Sequence, residues 1–125
     1  MHDGSVLRSY GAMFRQYAVF RGRTDRADYW RAMTVHSTLL ILLVIAAAVS
    51  MDEGVFHLLQ LYRLATIVPA YALSARRLHD IGRSGWWSLT AASGIGAVVL
   101  MIWLARVGEP DENLFGADPH PVSRY

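Results

Sequence analysis

Three apolar runs of about 20 residues each constrain this chain more than any other feature of its sequence. They cover residues 32–51, 55–75 and 86–105, contain no acidic side chain and include one arginine, Arg63. As α-helices, runs of this length extend roughly 30 Å, the thickness of a bilayer's hydrocarbon core. Only 18% of the residues are charged, against about 25% in soluble domains. The sequence therefore predicts an all-α polytopic membrane protein, with residues 1–125 as one membrane domain containing three transmembrane helices.

The segment before the first run is predicted to form an amphipathic helix over residues 5–20. Its large apolar side chains recur at helical spacing, with polar residues between them: Tyr10, Met13, Phe14, Tyr17 and Phe20. Such a helix can lie in the membrane interface or pack on the cytoplasmic end of the bundle, and the pattern fits both. Residues 106–125 form a polar tail, whose prolines disfavour a helix.

Charge is distributed unevenly between the segments that flank the apolar runs. Residues 1–31 and 76–85 hold nine arginines against four acidic residues, a net charge of +5. The segments 51–54 and 106–125 hold two arginines against six acidic residues, a net charge of −4. By the positive-inside rule, the N-terminus is cytoplasmic, and three full spans put the C-terminus outside. A bend at 93–96 would instead make the third run a re-entrant hairpin and keep the tail inside.

The loop between the second and third runs contains a candidate site for an anion. Arg76 and Asp80 are four residues apart and can pair on one helix face, while Ser84 can cap the helix that follows. The first amides of that helix, with Arg77 and Arg83 nearby, predict a site for a phosphate group. The alternative is a capped turn whose arginines only fix the membrane topology.

Two arginine-rich motifs and a tail motif occur in order along the chain. They read Phe20-x-Gly22-Arg23-x-x-Arg26-x-Asp28-Tyr29-Trp30, then Arg76-Arg77-Leu78-His79-Asp80 followed by Ser84-Gly85-Trp86, then Asn113-Leu114-Phe115-Gly116-Ala117-Asp118-Pro119. In this combination, over residues 10–119, the chain resembles the bacterial inner-membrane family called domain of unknown function 805. It departs from the family at Asp28, where Glu is usual, at Leu114, where Arg is usual, and at Ser93, where Pro is frequent. The resemblance implies location and architecture, and no activity.

A polar stripe lies within the second apolar run. His57, Gln60 and Arg63 are spaced three residues apart, and an arginine near the bilayer centre costs about 2.5–3.5 kcal/mol to insert. The stripe could line a substrate or ion pathway, which would make the chain a small transporter or channel subunit. Alternatively, Arg63 reaches the outer headgroups or pairs with acidic residues of the outer segments.

The function predicted first is a non-enzymatic membrane module that engages anionic lipid headgroups or a partner protein. The predicted binding residues are Arg23, Arg26, Arg76, Arg77, Arg83 and Ser84. Asp28 and Asp80 are expected to form ion pairs that dock the two arginine motifs on each other. No catalytic residue, metal or cofactor is predicted, because cysteine is absent and the five histidines lack helical metal-site spacing. The predicted partners are membrane lipids and a second copy or another membrane protein, and not nucleic acid.

Overall fold

The computed structural model describes residues 5–119, which form helices connected by turns. The elements are α1 (Val6–Arg15), α2 (Arg26–Ser50), α3 (Glu53–Asp80), a 3-10 helix (Gly85–Ala92) and α4 (Gly94–Leu104). No β-strand occurs between residues 5 and 119, so the all-α prediction is confirmed for this part of the chain. Within it, α2 is the one helix that is both long enough and apolar enough to cross a membrane.

Helix α1 is shorter than predicted and packs on the other helices. Ser5 caps its start by accepting a hydrogen bond from the Arg8 N–H, and the helix ends at Arg15. Its Met13 side chain is only 1% exposed and contacts the core that includes Leu73 of α3. Of the two predicted placements of this segment, the structure therefore has the helix packed on the bundle.

Helices α2 and α3 form an antiparallel pair joined by a tight turn. Met51 ends α2 in the left-handed conformation, with φ of 55°. Asp52 then starts α3, because its carboxylate accepts a hydrogen bond from the Gly54 N–H at 2.7 Å. Further along the pair, His36 Nδ1 lies 3.0 Å from the Tyr62 hydroxyl. These contacts hold the two long helices side by side.

The third apolar run does not form one continuous helix, contrary to the prediction for 86–105. It divides at Ser93 into the 3-10 helix and α4, and the Ser93 hydroxyl accepts a hydrogen bond from the Gly96 N–H at 3.1 Å. Helix α4 has 11 residues, and at 1.5 Å per residue it is about 16 Å long, roughly half of a bilayer core. A serine that caps a new helix is the local reason for the break.

Both ends of this run lie at the same end of the α2–α3 pair. At its start, Gly85 packs so closely on α3 that an added Cβ would lie 2.6 Å from the Cβ of Ala75. At its end, the Leu104 carbonyl accepts a hydrogen bond from Trp30 Nε1 at 3.0 Å. The 3-10 helix and α4 are therefore a hairpin, which agrees with the re-entrant alternative.

The hydrophobic core is concentrated at the arginine-rich end of the bundle. Its buried members come from α1 to α4 and are Met13, Tyr29, Ala32, Leu73, Leu78, Leu100 and Leu104. In contrast, large apolar side chains in the second half of α2 and the first half of α3 are exposed, such as Ile45, Val49 and Leu58. The arginine-rich end is thus the most tightly packed region of the described chain.

Candidate functional site at the arginine-rich end

Three charged side chains form a buried cluster where α3 ends. Asp80 lies between two arginines: Arg77 Nη1 is 2.8 Å from its Oδ2, and Arg23 Nη2 is 2.9 Å from its Oδ1. The exposed fractions of the side chains are 0% for Arg77 and Asp80 and 1% for Arg23. Arg77 and Asp80 are one turn apart on α3, whereas Arg23 comes from the segment before α2. We call these three residues the arginine–aspartate cluster.

Main-chain carbonyls at the end of α4 and in the tail accept further hydrogen bonds from this cluster. Arg77 Nε donates to the Leu104 carbonyl at 3.0 Å, and Arg77 Nη2 donates to the Arg106 carbonyl. Arg23 Nη1 donates to the Asp111 carbonyl at 2.7 Å and to the Gly116 carbonyl at 3.1 Å. Because a guanidinium offers five N–H donors in a fixed fork, two arginines can hold a long irregular segment. The donors are therefore occupied by the protein itself.

The tail is also held by its own side chains. Asn113 Nδ2 donates to the His79 carbonyl at 2.8 Å, and the rings of His79 and Phe115 stack in parallel at 4.1 Å. The other hydrogen bond of that imidazole joins Nδ1 to the Gly22 carbonyl at 2.8 Å. His79 lies beyond the predicted span 55–75, and burial lowers its pKa, although the Gly22 hydrogen bond acts in the opposite direction. A single histidine thus joins α3, the segment before α2 and the tail.

Arg76 holds the segment that connects α1 to α2. Its Nε donates to the Thr24 hydroxyl at 3.2 Å, and its Nη1 donates to the carbonyls of Gln16 at 3.3 Å and Val19 at 2.5 Å. The Arg76 carbonyl in turn accepts from the Thr24 N–H at 3.0 Å. Arg76 is 2% exposed, and burial lowers the pKa of its guanidinium. Unlike the arginine–aspartate cluster, it is bonded to neutral groups.

The other predicted site residues lie outside this buried network. Arg26 is exposed and donates to the Ala105 carbonyl at 3.4 Å. Arg83 lies over the ring of Trp103, 4.1 Å from its centre, and the Ser84 hydroxyl caps the 3-10 helix. The proposed phosphate site at the start of that helix would therefore use a serine that already accepts a backbone hydrogen bond.

Asp28 and Asp80, predicted as ion-pairing carboxylates, have different surroundings. Asp80 joins the two arginine motifs through Arg23, as described above. Asp28 instead lies 3.4 Å from Arg31 on its own helix and accepts from the Ser9 hydroxyl at 3.5 Å. These two contacts of Asp28 are with α1 and with its own helix.

The polar stripe of the second apolar run lies largely at the surface of the described chain, with Gln60 half-buried. Arg63 Nη1 donates to Gln60 Oε1 at 3.4 Å, and both His57 and Arg63 are exposed. Neither residue lines the cavities that we describe below. Residues 5–119 also contain no group of three or more His, Asp and Glu side chains that could hold a metal ion.

A large apolar cavity opens beside the 3-10 helix, and the sequence patterns did not predict it. Its volume is about 900 Å³, and α3 forms one wall through Val68 and Tyr71. Phe20 and Phe115 close the end nearest the tail, where His79 and Ser84 supply polar atoms. Phe20 and Phe115 both belong to the sequence motifs, but no sequence pattern predicts that they lie in the wall of one cavity. Phe115 contributes to the lining from the tail that the arginine–aspartate cluster contacts.

By length and composition, α2 is a candidate membrane span in an all-helical fold. The family described as "Protein of unknown function (DUF805)" matches residues 17–117. The chain belongs to this family, which confirms the resemblance found in its motifs.

Two relatives from Escherichia coli (strain K12) cover nearly the whole chain. "Inner membrane protein YhaI" is 35% identical over 115 residues, which are 90% of this chain and 96% of that protein. "Inner membrane protein YhaH" is 32% identical over 116 residues, which are 88% of this chain and 94% of that protein. Their names support an inner-membrane location for this chain. No solved structure matches it.

Proposed function

We propose that this protein is a non-enzymatic inner-membrane module that binds the hydrocarbon part of a membrane amphiphile. The observation that carries the proposal is the cavity of about 900 Å³ between α3 and the 3-10 helix. Ligand pockets of roughly 300–1,000 Å³ with apolar walls and a few polar groups are typical of small-molecule sites. The walls of this cavity are mainly apolar, and its polar side chains are His79 and Ser84 near the end of α3, with Tyr71 and Ser88 further along.

The proposed membrane arrangement has two spans and one re-entrant hairpin. In it, α2 and α3 cross the bilayer, and the 3-10 helix and α4 enter from the cytoplasmic side and return to it. Charge supports this arrangement, because the arginines within residues 5–119, apart from Arg63, belong to segments at the hairpin's end of the bundle. The turn at the opposite end carries Asp52 and Glu53. The tail is then cytoplasmic, as the re-entrant alternative requires.

An amphiphile fits this arrangement better than a water-soluble ligand does. The cavity extends along α3 from His79 to Ile67, a distance of about 18 Å at 1.5 Å per residue. One end is therefore at the cytoplasmic surface, and the other is at the depth of the hydrocarbon core. A ligand with a polar group near His79 and an apolar chain along Val68 matches both environments.

This function assigns the arginine–aspartate cluster a positioning role. Arg23 and Arg77 use their hydrogen bonds on Asp80 and on tail carbonyls, so they fix the segment that presents Phe115 to the cavity. Both Asp80 oxygens contact arginines, which suits an anchoring role for this carboxylate. The bond from His79 Nδ1 to the Gly22 carbonyl fixes the orientation of the imidazole ring.

Native mass spectrometry of the protein released from lipid nanodiscs tests the proposal. Val68→Trp places a large ring in the cavity, whereas Leu64→Trp adds the same ring one turn away, outside the cavity. We expect the wild type and Leu64→Trp to retain a lipid at detergent concentrations that strip bulk lipid, and Val68→Trp to lose it. Equal lipid retention by the two variants, at equal thermal stability, would contradict the proposed site.

A further inference from the structure

A second, smaller cavity lies on the other side of the arginine-rich end. It has a volume of about 270 Å³ and is enclosed by α1, the segment that follows it and the last turns of α3. Four arginines and one aspartate are among its lining residues: Arg8, Arg15, Arg23, Arg76 and Asp28. It shares no lining residue with the cavity of the proposed function. We call it the basic pocket.

Arg76 is the unusual member of this pocket. It is 2% exposed, yet within the described chain it bonds only to the Thr24 hydroxyl and to the carbonyls of Gln16 and Val19. Arg23, by comparison, also has a buried guanidinium side chain, but the Asp80 carboxylate is its counter-ion. A buried cation is costly unless an anion compensates it. The pocket therefore contains a cation whose charge the described residues leave uncompensated.

The hydrogen bonds of Arg76 to described residues do not involve its Nη2 group. They use Nε and Nη1, and the same side chain lines the pocket. Arg15 lies at the end of α1 on the pocket's exposed side. Asp28 is the acidic member, and it is engaged by Arg31 and Ser9. A ligand entering the pocket would thus meet mainly positive charge.

We infer that the basic pocket binds a phosphate group. Guanidinium groups bind phosphate oxygens through paired, charge-assisted N–H donors, which suits arginine better than any other side chain. Ala12, Met13 and Leu73 form the apolar part of the wall, and a local environment of low dielectric strengthens such bonds. The volume leaves room for a small group attached to the phosphate. An anionic lipid headgroup and a soluble phosphate monoester both present this chemistry.

The experiment uses the full-length protein and two probes. The first probe is a nanodisc of phosphatidylcholine with or without phosphatidylglycerol, and the second is glycerol 3-phosphate added to protein in a neutral detergent. Thermal unfolding reports binding, because a ligand of the folded state raises the melting temperature. We expect at least one probe to raise it for the wild type. Stabilisation by phosphatidylglycerol alone assigns a lipid, and stabilisation by glycerol 3-phosphate assigns a soluble ester.

Variants that each remove one arginine charge test whether the phosphate binds in the basic pocket. Arg76→Gln is the direct test, but it also removes the contacts that hold residues 16–24. Arg15→Gln is therefore the decisive variant, and Arg21→Gln, exposed and outside the pocket, is its control. We expect the apparent affinity to fall about two- to fivefold for Arg15→Gln, the size of one exposed charge contact, and to stay unchanged for Arg21→Gln. No stabilisation of the wild type, or equal losses for both variants, would overturn the assignment.

This test is independent of the proposed function. Val68→Trp changes the apolar cavity and leaves every residue of the basic pocket in place. A phosphate response that survives Val68→Trp, together with loss of the retained lipid, would show two separate sites. A wild-type protein that keeps its lipid but shows no phosphate response would refute the basic pocket alone.

Discussion

At the scale of single residues, one aspartate of α3 contacts both the segment before α2 and the tail. Asp80 contacts Arg23 and Arg77, and its main-chain carbonyl accepts from the Glu109 N–H at 2.7 Å. All three side chains of the cluster are fully or almost fully buried. Removing one partner of a buried pair leaves an uncompensated charge, which is more damaging than losing the whole pair. The cluster should therefore be highly sensitive to neutralisation of its one anion.

The corresponding prediction compares two aspartates. Asp80→Asn removes the carboxylate that pairs with two buried arginines. We therefore expect a loss of about 3–5 kcal/mol in the free energy of unfolding. Asp111→Asn changes an exposed side chain, and we expect an effect within about 0.5 kcal/mol. Unfolding of the purified proteins in mild detergent measures both. Small and equal effects would mean that the arginines are solvated and that the cluster does not hold the tail.

The sequence predicted part of this network and could not predict the rest. Opposite charges in the segments 20–30 and 76–87 indicated that the two motifs meet, and the structure pairs Arg23 with Asp80. The acceptors in the tail are main-chain carbonyls, such as that of Gly116. Every residue carries a carbonyl, so no sequence pattern marks the ones that arginines will bind. The basic pocket was missed for a similar reason, because Arg15 belongs to a different segment from Arg76.

At the scale of elements, the hairpin is the main difference between the sequence prediction and the structure. A hydropathy window averages over residues 86–105 and finds them uniformly apolar, because serine and glycine change the average little. The break depends on local geometry, in which Ser93 ends the 3-10 helix and caps α4. By contrast, the predicted runs 32–51 and 55–75 lie almost entirely within the continuous helices α2 (Arg26–Ser50) and α3 (Glu53–Asp80). Of these two helices, α2 alone is long and apolar enough to be a candidate membrane span. Local capping signals thus outweighed average hydrophobicity.

Two glycines at the hairpin bend give a prediction at this scale. A Cβ at Gly96 would lie 2.1 Å from the Thr90 carbonyl oxygen and 2.6 Å from the Ser93 hydroxyl, whereas one at Gly94 would meet nothing within 4 Å. We expect Gly96→Ala to destabilise the protein by about 1–3 kcal/mol, as overpacking does, and Gly94→Ala to be near neutral. Thermal unfolding in detergent compares them. Equal stability of the two variants would contradict the close approach of Gly96 to Thr90 and Ser93.

At the scale of the whole molecule, the two ends of the bundle differ in packing and charge. The hydrophobic core, the arginine–aspartate cluster and both cavities occupy the arginine-rich end. The opposite end consists of α2 and α3 alone, with exposed apolar side chains and an acidic turn at Asp52. This asymmetry follows from a hairpin that reaches only about halfway along α3. It also explains why the tail lies beside the arginines, at the same end of the bundle.

In the proposed topology, the hairpin returns the tail to the arginine-rich, cytoplasmic side of the membrane. Labelling of single cysteines by a membrane-impermeant thiol reagent tests it directly, because the chain contains no native cysteine. In intact spheroplasts, Glu53→Cys in the acidic turn should react, whereas Glu112→Cys in the tail should be protected until the membrane is permeabilised. Labelling of Glu112→Cys in intact spheroplasts, with Glu53→Cys also labelled, would contradict the claim, since residues 86–105 would then have to cross the membrane.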